Sequence, residues 1–246
     1  MRTIAIANHK GGVGKTTSVA SIGAALSQKG KRVLLVDLDT QANLSSSLLD
    51  EEQERTIYDA ISQGENLPIY PVRENLYITP SSLDMAGVEL EISSRISREF
   101  ILKDLLEPER DNYDYILLDC PPSLGLVTLN ALVASTSLYI PLTAEALPTK
   151  GLKMLTDVLQ SVKKRLNPTL SLDGVIITRW ENSKLSRNVE ESLRSTFGEA
   201  VFNTKIRKNI SLAEAPLSSQ DIFRYAPDSN GAKDYQALAE EILARG

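Results

Sequence analysis

The chain has 246 residues, 42% of them hydrophobic, and a formal net charge of −5 at pH 7. That length and composition suit one large α/β domain with a sizeable core better than two small ones. A single cysteine, Cys120, excludes an internal disulfide, a Cys-x-x-Cys redox pair and a cysteine-rich metal or iron–sulfur centre within one chain. The negative charge repels phosphates overall, so any nucleic-acid binding needs a local basic patch. No run approaches the roughly 20 apolar residues that cross a bilayer, and a strand pattern begins by Thr3. A cytoplasmic protein without a signal peptide is expected.

Residues 3–8 read as an apolar strand that runs into His9-Lys10-Gly11-Gly12-Val13-Gly14-Lys15-Thr16-Thr17, after which the pattern turns helical. Glycines at 11, 12 and 14 let the backbone curl until consecutive N–H groups face one point at the positive end of the helix, a phosphate-binding loop. Lys15 is placed to reach β- and γ-phosphates, and the Thr16 hydroxyl to ligate the accompanying Mg²⁺. Gly11, Gly12, Val13, Gly14 and Thr17 complete the candidate nucleotide contacts. The usual G-x-x-x-x-G-K-[ST] pattern wants glycine at position 9, where this chain has His9, and a second lysine, Lys10, opens the loop. His9, the only histidine, reads as packing or hydrogen-bonding near the phosphates rather than as a general base. Phosphoryl transfer depends on positioning and charge stabilisation more than on a strong base.

The next strand, 32–37, ends in Val36-Asp37-Leu38-Asp39-Thr40-Gln41. Asp37, the last strand residue, would face the Mg²⁺ side. Asp39, in the following loop, could orient a water for in-line attack on the γ-phosphorus. Loop aspartates are also ordinary turn residues; the neighbouring phosphate loop is what favours the catalytic reading. Residues 63–74, with Pro68 and Pro71, read as a surface connection before a strand at 75–79. At 115–119 an apolar run is capped by Asp119 and followed by Cys120-Pro121-Pro122, the Walker B pattern whose carboxylate holds the metal's water shell. Cys120 itself reads as a small packed residue. Strands at 137–142, 174–178 and 201–206 follow, with helices of about 12–18 residues between strands. Runs such as Val33-Leu34-Leu35-Val36 and Ile116-Leu117-Leu118 are continuously apolar, as strands buried on both faces must be. The predicted fold is α/β, a doubly wound, mainly parallel sheet with helices on both faces, in one domain spanning 1–246. Asn8, Asp37, Asp119, Thr143 and Thr178 should converge at the carboxyl ends of the strands.

Lys10 with the rest of K-G-G-V-G-K-T-T, Asp37-Leu38-Asp39-Thr40-Gln41-Ala42-Asn43, and Leu118-Asp119-Cys120-Pro121-Pro122 together resemble the ParA/Soj family of partition ATPases. Pro141-Leu142-Thr143-Ala144-Glu145 followed by Lys150-Gly151-Leu152 is similar to the family's post-Walker-B strand and helix. Phe202-Asn203-Thr204-Lys205-Ile206-Arg207-Lys208-Asn209 with Ser211-Leu212-Ala213-Glu214-Ala215-Pro216 is similar to its C-terminal signature. The resemblance covers nearly the whole chain. It implies a homodimer that forms with ATP and Mg²⁺, two chains facing each other across two nucleotides. Lys10 would reach the partner's phosphates in trans, like an arginine finger, and Asp39 would be the water-positioning aspartate. Hydrolysis would be slow and stimulated by a ParB-like centromere-binding partner, after which the dimer separates and leaves DNA. Plasmid or chromosome segregation, non-specific binding to double-stranded DNA and association with the nucleoid follow from the same resemblance. Candidate DNA contacts are Arg179, Lys184 and Arg187, in and after one strand-end loop, and Lys205, Arg207, Lys208 and Arg224. The chain departs from the family at Thr40, where proline is usual, and at Arg207. There the family has Ile-Pro-Arg-Asn with the proline near adenine, so Arg207 also counts among the candidate nucleotide contacts. The short lead into the phosphate loop leaves no space for an N-terminal helix-turn-helix, which argues against operator-specific repression.

Related readings compete. MinD-like membrane ATPases share the loop but end in a basic amphipathic helix, whereas residues 234–246 combine an apolar stripe with an acidic polar face. That favours packing on the domain over binding lipid. Nitrogenase-reductase-like members hold a cluster between subunits, and Cys120 alone offers two ligands per dimer rather than four. A dethiobiotin-synthetase-like kinase or ligase shares the loop but gives no reason for Lys10, segment 37–43 or the basic C-terminal loops. A ParA-like ATPase that positions a protein assembly is not separated from one that moves DNA.

Overall fold

The computed structural model describes residues 1–145 and 149–246, the side chains of 149–152 excepted, so Lys150, Gly151 and Leu152 lie outside the described residues where side chains are concerned. Its strands are β1 (Arg2–Ile6), β2 (Val33–Asp37), β3 (Tyr70–Arg73), β4 (Leu76–Thr79), β5 (Tyr115–Asp119), β6 (Ser137–Thr143), β7 (Ser171–Trp180) and β8 (Val201–Arg207). Its helices are α1 (Lys15–Gln28), α2 (Asn43–Leu48), α3 (Ile57–Gln63), α4 (Met85–Ile92), α5 (Ile101–Leu106), α6 (Leu126–Ala134), α7 (Thr149–Arg165), α8 (Lys184–Phe197), α9 (Ser211–Glu214), α10 (Ile222–Tyr225) and α11 (Asn230–Ala244).

The strands form one sheet in the order β3-β4-β2-β5-β1-β6-β7-β8. All neighbours are parallel except β3 and β4. This is the doubly wound α/β architecture that the apolar strands imply, and their residues divide strictly by parity. Ala5, Leu34, Val36, Ile116 and Leu118 enter the core on one face, under α3 to α8. Ile4, Ile6, Val33, Leu35 and Leu117 enter the core on the other, under α1 and α11. A two-residue side-chain period with both faces covered leaves no position for a polar residue until the strand ends. The polar residues therefore collect at those ends.

Two expectations are corrected. Residues 63–74 are not only a connection, because Tyr70–Arg73 forms the antiparallel edge strand β3, with Pro71 opposite Tyr77 and a register shift before Arg73. A proline lacks a ladder donor but is accepted on an edge strand, so the prolines that signalled a turn were compatible with pairing. Arg73 fastens this edge by donating to the Asp221 carboxylate at 2.9 Å and to the Ala24 carbonyl at 2.6 Å. Helix lengths also differ from expectation. α1, α7, α8 and α11 have 14 to 17 residues, but α2 to α6 have only six to nine. Local stop and start signals cut them: Thr56 and Asp59 form a capping box at the start of α3, and Gly64 closes it in the left-handed conformation.

The C-terminal helix lies on the domain. Tyr235, Leu238, Ala239 and Ile242 are buried, Tyr235 hydroxyl meets Ser18 hydroxyl of α1 at 3.0 Å, and Glu240 accepts from Lys29 at 2.8 Å. Among the described residues no helix is long and apolar enough to cross a membrane.

Candidate nucleotide-binding site

At the carboxyl edge of the central strands the loop between β1 and α1 is braced from both sides. Asn8 donates its side-chain amide to the Pro141 carbonyl at 2.7 Å, and its oxygen accepts the Lys10 N–H at 3.0 Å. On the other side the Thr178 hydroxyl donates to the Val13 carbonyl at 2.9 Å. Gly12 and Gly14 adopt φ of 70° and 90°, the left-handed region that a side chain disfavours. Gly14 is the N-cap of α1, and no side chain caps its first turn. The free N–H groups at the positive end of that helix form an anion cradle. Gly11, Val13, Thr16 and Thr17 lie along the same turn.

The two lysines of the loop occupy opposite environments. Lys15 is only 7% exposed and its charge acts on Asp119. Lys10 is exposed at the lip and has no ion-pair partner among the described residues. His9 beside it is exposed too.

Asp37 and Asp119 end adjacent parallel strands and stand opposite each other in register. Both are buried, yet they are held differently. Asp37 accepts the Ser45 hydroxyl at 2.7 Å, the Ser45 N–H at 2.9 Å and the Asp39 N–H at 3.1 Å. Both oxygens of Asp119 are buried without a hydrogen-bond partner among the described residues. The Thr16 hydroxyl stands beside them outside strict hydrogen-bonding geometry. Burial, reinforced by the Asp37 charge, pushes the Asp119 carboxyl well above the usual range, and Thr16 and Lys15 oppose it only in part. An unpaired buried carboxylate facing a lysine and a threonine hydroxyl fits a cation. No group of three or more His, Cys, Asp or Glu among the described residues forms a metal cage. A hard, water-retaining ion such as Mg²⁺, held by a hydroxyl, a carboxylate through water and phosphate oxygens, suits that donor set. Asp39 is 9% exposed, and its Oδ1 accepts the Gln41 N–H at 3.1 Å. Cys120 is fully buried and burial pushes its thiol up, so it packs, as its setting in the sequence suggests.

Burial likewise pushes Asp37 from its ordinary 3.8 up to about 6, against the three donors. Between these values the folded chain holds a proton that the unfolded chain has released. Stability from this group is therefore lost as pH rises through the window. We predict that the nucleotide-free protein's thermal midpoint, measured relative to Asp37→Asn, falls as pH rises from about 4 to about 6. A difference that is flat or rises with pH would contradict the burial.

An AAA-domain family model matches residues 1–172. The sequence is 43% identical to the sporulation initiation inhibitor protein Soj of Bacillus subtilis, over 100% of this chain and 99% of that protein. The chain belongs to the ParA/Soj family of partitioning ATPases. Among solved structures it is similar to cobyrinic acid a,c-diamide synthase of Mycobacterium smegmatis with bound ATP analogue and magnesium. There the TM-score is 0.86 and the identity 33%, covering 100% of this chain and 95% of that one. It is also similar to the cell division ATPase MinD of Pyrococcus furiosus, with a TM-score of 0.80 and 26% identity, covering 100% and 99%.

Within this ParA/Soj fold the basic residues of the C-terminal half are placed unequally. Lys205 is bound by both Glu190 oxygens at 2.9 Å and lies over the Trp180 ring. Arg207 clasps Asp234, at 2.6 Å for its closest pair, and donates its N–H to the same carboxylate. Lys208 meets Glu181 at 3.2 Å and Arg179 meets Glu145 at 3.7 Å. Arg187 donates to the Asn182 side chain. Lys184, Arg187 and Arg224 are exposed, with no carboxylate partner among the described residues. Sequence reasoning missed Ser45 altogether. Its only signal was a hydroxyl eight residues after Asp37, at a distance the linear chain leaves unexplained.

Proposed function

We propose that residues 1–246 form one P-loop ATPase domain that binds ATP with Mg²⁺, dimerises on it, and in that state holds double-stranded DNA without sequence preference. The pairing of a buried Lys15 with an exposed Lys10 on one loop carries this reading. The first is placed for its own nucleotide, and the second extends from the lip toward a facing copy. In this reading Lys15 and the α1 N–H groups hold the β- and γ-phosphates, Thr16 and Asp119 hold the ion, and Asp39 orients the attacking water. Mg²⁺, when bound, neutralises charge on the phosphate oxygens. Lys10 of each chain completes the other's site, so the dimer reads the γ-phosphate, and slow hydrolysis, stimulated by a ParB-like partner, dissolves it. Coupled to DNA binding, that cycle supports plasmid or chromosome segregation by a cytoplasmic, nucleoid-associated protein. The Soj and ParA names of its relatives support this cargo class.

For the DNA face we favour Lys184 and Arg187 of α8, at the β7–β8 end of the sheet; Arg224 lies apart from them, its charge felt by Arg73 of β3 at the opposite edge. Lys184 and Arg187 stand in the first turn of α8, where a helix dipole disfavours cations, so helix stability gives no reason for them. Arg179, Lys205, Arg207 and Lys208 are already ion-paired, with Glu145, Glu190, Asp234 and Glu181, which assigns them first to holding the chain around β7 and β8. Binding to a random-sequence duplex without nucleotide, with ADP and with ATP, while mass is followed by light scattering, tests both claims. DNA binding is expected only with ATP and only in the dimer. The Lys184→Glu/Arg187→Glu pair should weaken it equally for all sequences and lower the salt slope by roughly 2 for each chain of the dimer that touches DNA. ATP-dependent dimers that ignore DNA would move the reading to a MinD-like, protein-cargo or metabolic role.

A further inference from the structure

The two carboxylates at the ends of β2 and β5 are neighbours, but they do different work. Asp119 keeps both oxygens free. Asp37 spends both of its own on the chain that follows it: Oδ1 on the Asp39 N–H, Oδ2 on the Ser45 N–H and hydroxyl. The Ser45 hydroxyl in turn accepts the Ser81 N–H at 2.9 Å, so a buried relay runs from the loop after β4, through Ser45, to Asp37. All three side chains are buried, with Ser45 at 7% and Ser81 at 6% exposure.

The relay closes segment 37–45 into a loop whose contents are the residues in question. α2 has Ala42 at its N-cap and no side-chain cap of its own; the Asp37 carboxylate takes the place of that cap from outside the helix, on the Ser45 N–H. Ala42 sits at a φ of 49°, and such a conformation persists where the surroundings over-determine it. Between the two anchors lies Asp39, whose N–H is fixed by Asp37 and whose Oδ1 is fixed by the Gln41 N–H. Its Oδ2 is the oxygen left to meet water.

We propose that Ser45 is a positioning residue for hydrolysis: by pinning Asp37 to α2 and to the Ser81 backbone, it holds the loop that aims Asp39. Asp119, not Asp37, then faces the ion. This rests on the ATPase reading above. Among the described residues Ser45 hydrogen-bonds to Asp37 and Ser81 and not to Lys15 or the phosphate loop, so it should affect the chemical step more than ATP binding. A displacement of about 1 Å in a group that orients a reactant costs on the order of 10²-fold in rate.

The test uses the full chain with Ser45→Ala, Ser45→Thr and Ser47→Ala. Ser47 is the control, a buried hydroxyl on the same helix that bonds the Leu44 carbonyl at 2.8 Å and does not touch Asp37. Ser45→Ala should lower kcat at least about tenfold with the dissociation constant for fluorescent ATP changed less than about twofold. Ser45→Thr should recover most of the rate, and Ser47→Ala should stay near wild type. In nucleotide-free protein, hydrogen exchange of the amides of Asp39 and Ser45 should accelerate in Ser45→Ala, while α1 amides keep their protection. A wild-type rate in Ser45→Ala, an equal loss in Ser47→Ala, failure of Ser45→Thr to recover, or unchanged exchange would overturn the pin. A wild-type protein that hydrolyses no ATP would overturn the ATPase reading and with it any hydrolytic role for Ser45. In that event the exchange result still reports on the pin as a structural contact.

Discussion

Lys15→Ala is expected to abolish productive nucleotide binding. Lys15 is 7% exposed, at a cradle otherwise made of backbone N–H groups, so on a polyphosphate its ammonium would act as a desolvated, charge-assisted donor. Removing one partner of such a buried charged contact costs about 2–5 kcal/mol, or on the order of 10²-fold or more in affinity. The same charge now helps to hold down the Asp119 carboxyl. Its loss favours the protonated acid there and weakens the ion site as well. The fold should survive, because Asn8 and Thr178 brace the loop through Pro141 and Val13 and neither contact involves Lys15. Equilibrium binding of fluorescent ATP, paired with a thermal melt, checks both halves. A folded Lys15→Ala protein that binds ATP within about threefold of wild type would remove the lysine from the phosphate site.

Asp39→Ala should leave ATP binding intact while hydrolysis falls by about 10²-fold or more, the usual worth of a positioned acid–base group. The carboxylate is nearly buried beside Asp37, and one of its oxygens already makes a local turn with the Gln41 N–H. An alanine loses that turn as well as the charge, so Asp39→Asn is the cleaner companion, since it keeps an acceptor for Gln41 but offers water no anionic oxygen. Phosphate release should stall in both, and, if the proposed ATP-bridged dimer forms, light scattering should find one that outlives the wild-type complex. Ordinary turnover in both variants would take Asp39 out of the mechanism.

Much of this molecule was legible in its residue order for reasons that are local. A glycine-rich turn followed by Lys15 and Thr16 specifies its own backbone shape, since the left-handed conformations at Gly12 and Gly14 are available to glycine at little cost. Continuous apolar runs ending in Asp37 and Asp119 specify strands covered on both faces, with their first polar residue at the carboxyl edge. Other features depend on residues far apart in the chain. β3 was hidden because Pro68 and Pro71 signal a turn unless a partner strand offers an edge, and that partner is β4. The basic residues near the C-terminus looked alike in sequence. Only the folded chain brings Glu190 to Lys205, Asp234 to Arg207 and Glu181 to Lys208, leaving Lys184, Arg187 and Arg224 without a carboxylate among the described residues.

The sequence by itself determined the α/β class, the phosphate loop and the pair of strand-end carboxylates, because each follows from side-chain periodicity or from backbone freedom within a dozen residues. Only the tertiary structure decided how the two carboxylates differ. Asp37 and Asp119 end similar apolar strands, and nothing within either strand sets them apart. What separates them is that α2 returns to place Ser45 on Asp37, while Asp119 faces Lys15 and Thr16 with no donor committed to it. In a buried setting the group that receives hydrogen bonds becomes a strut and the group left without them is available to a ligand, and which one receives them is settled by where distant chain comes to rest.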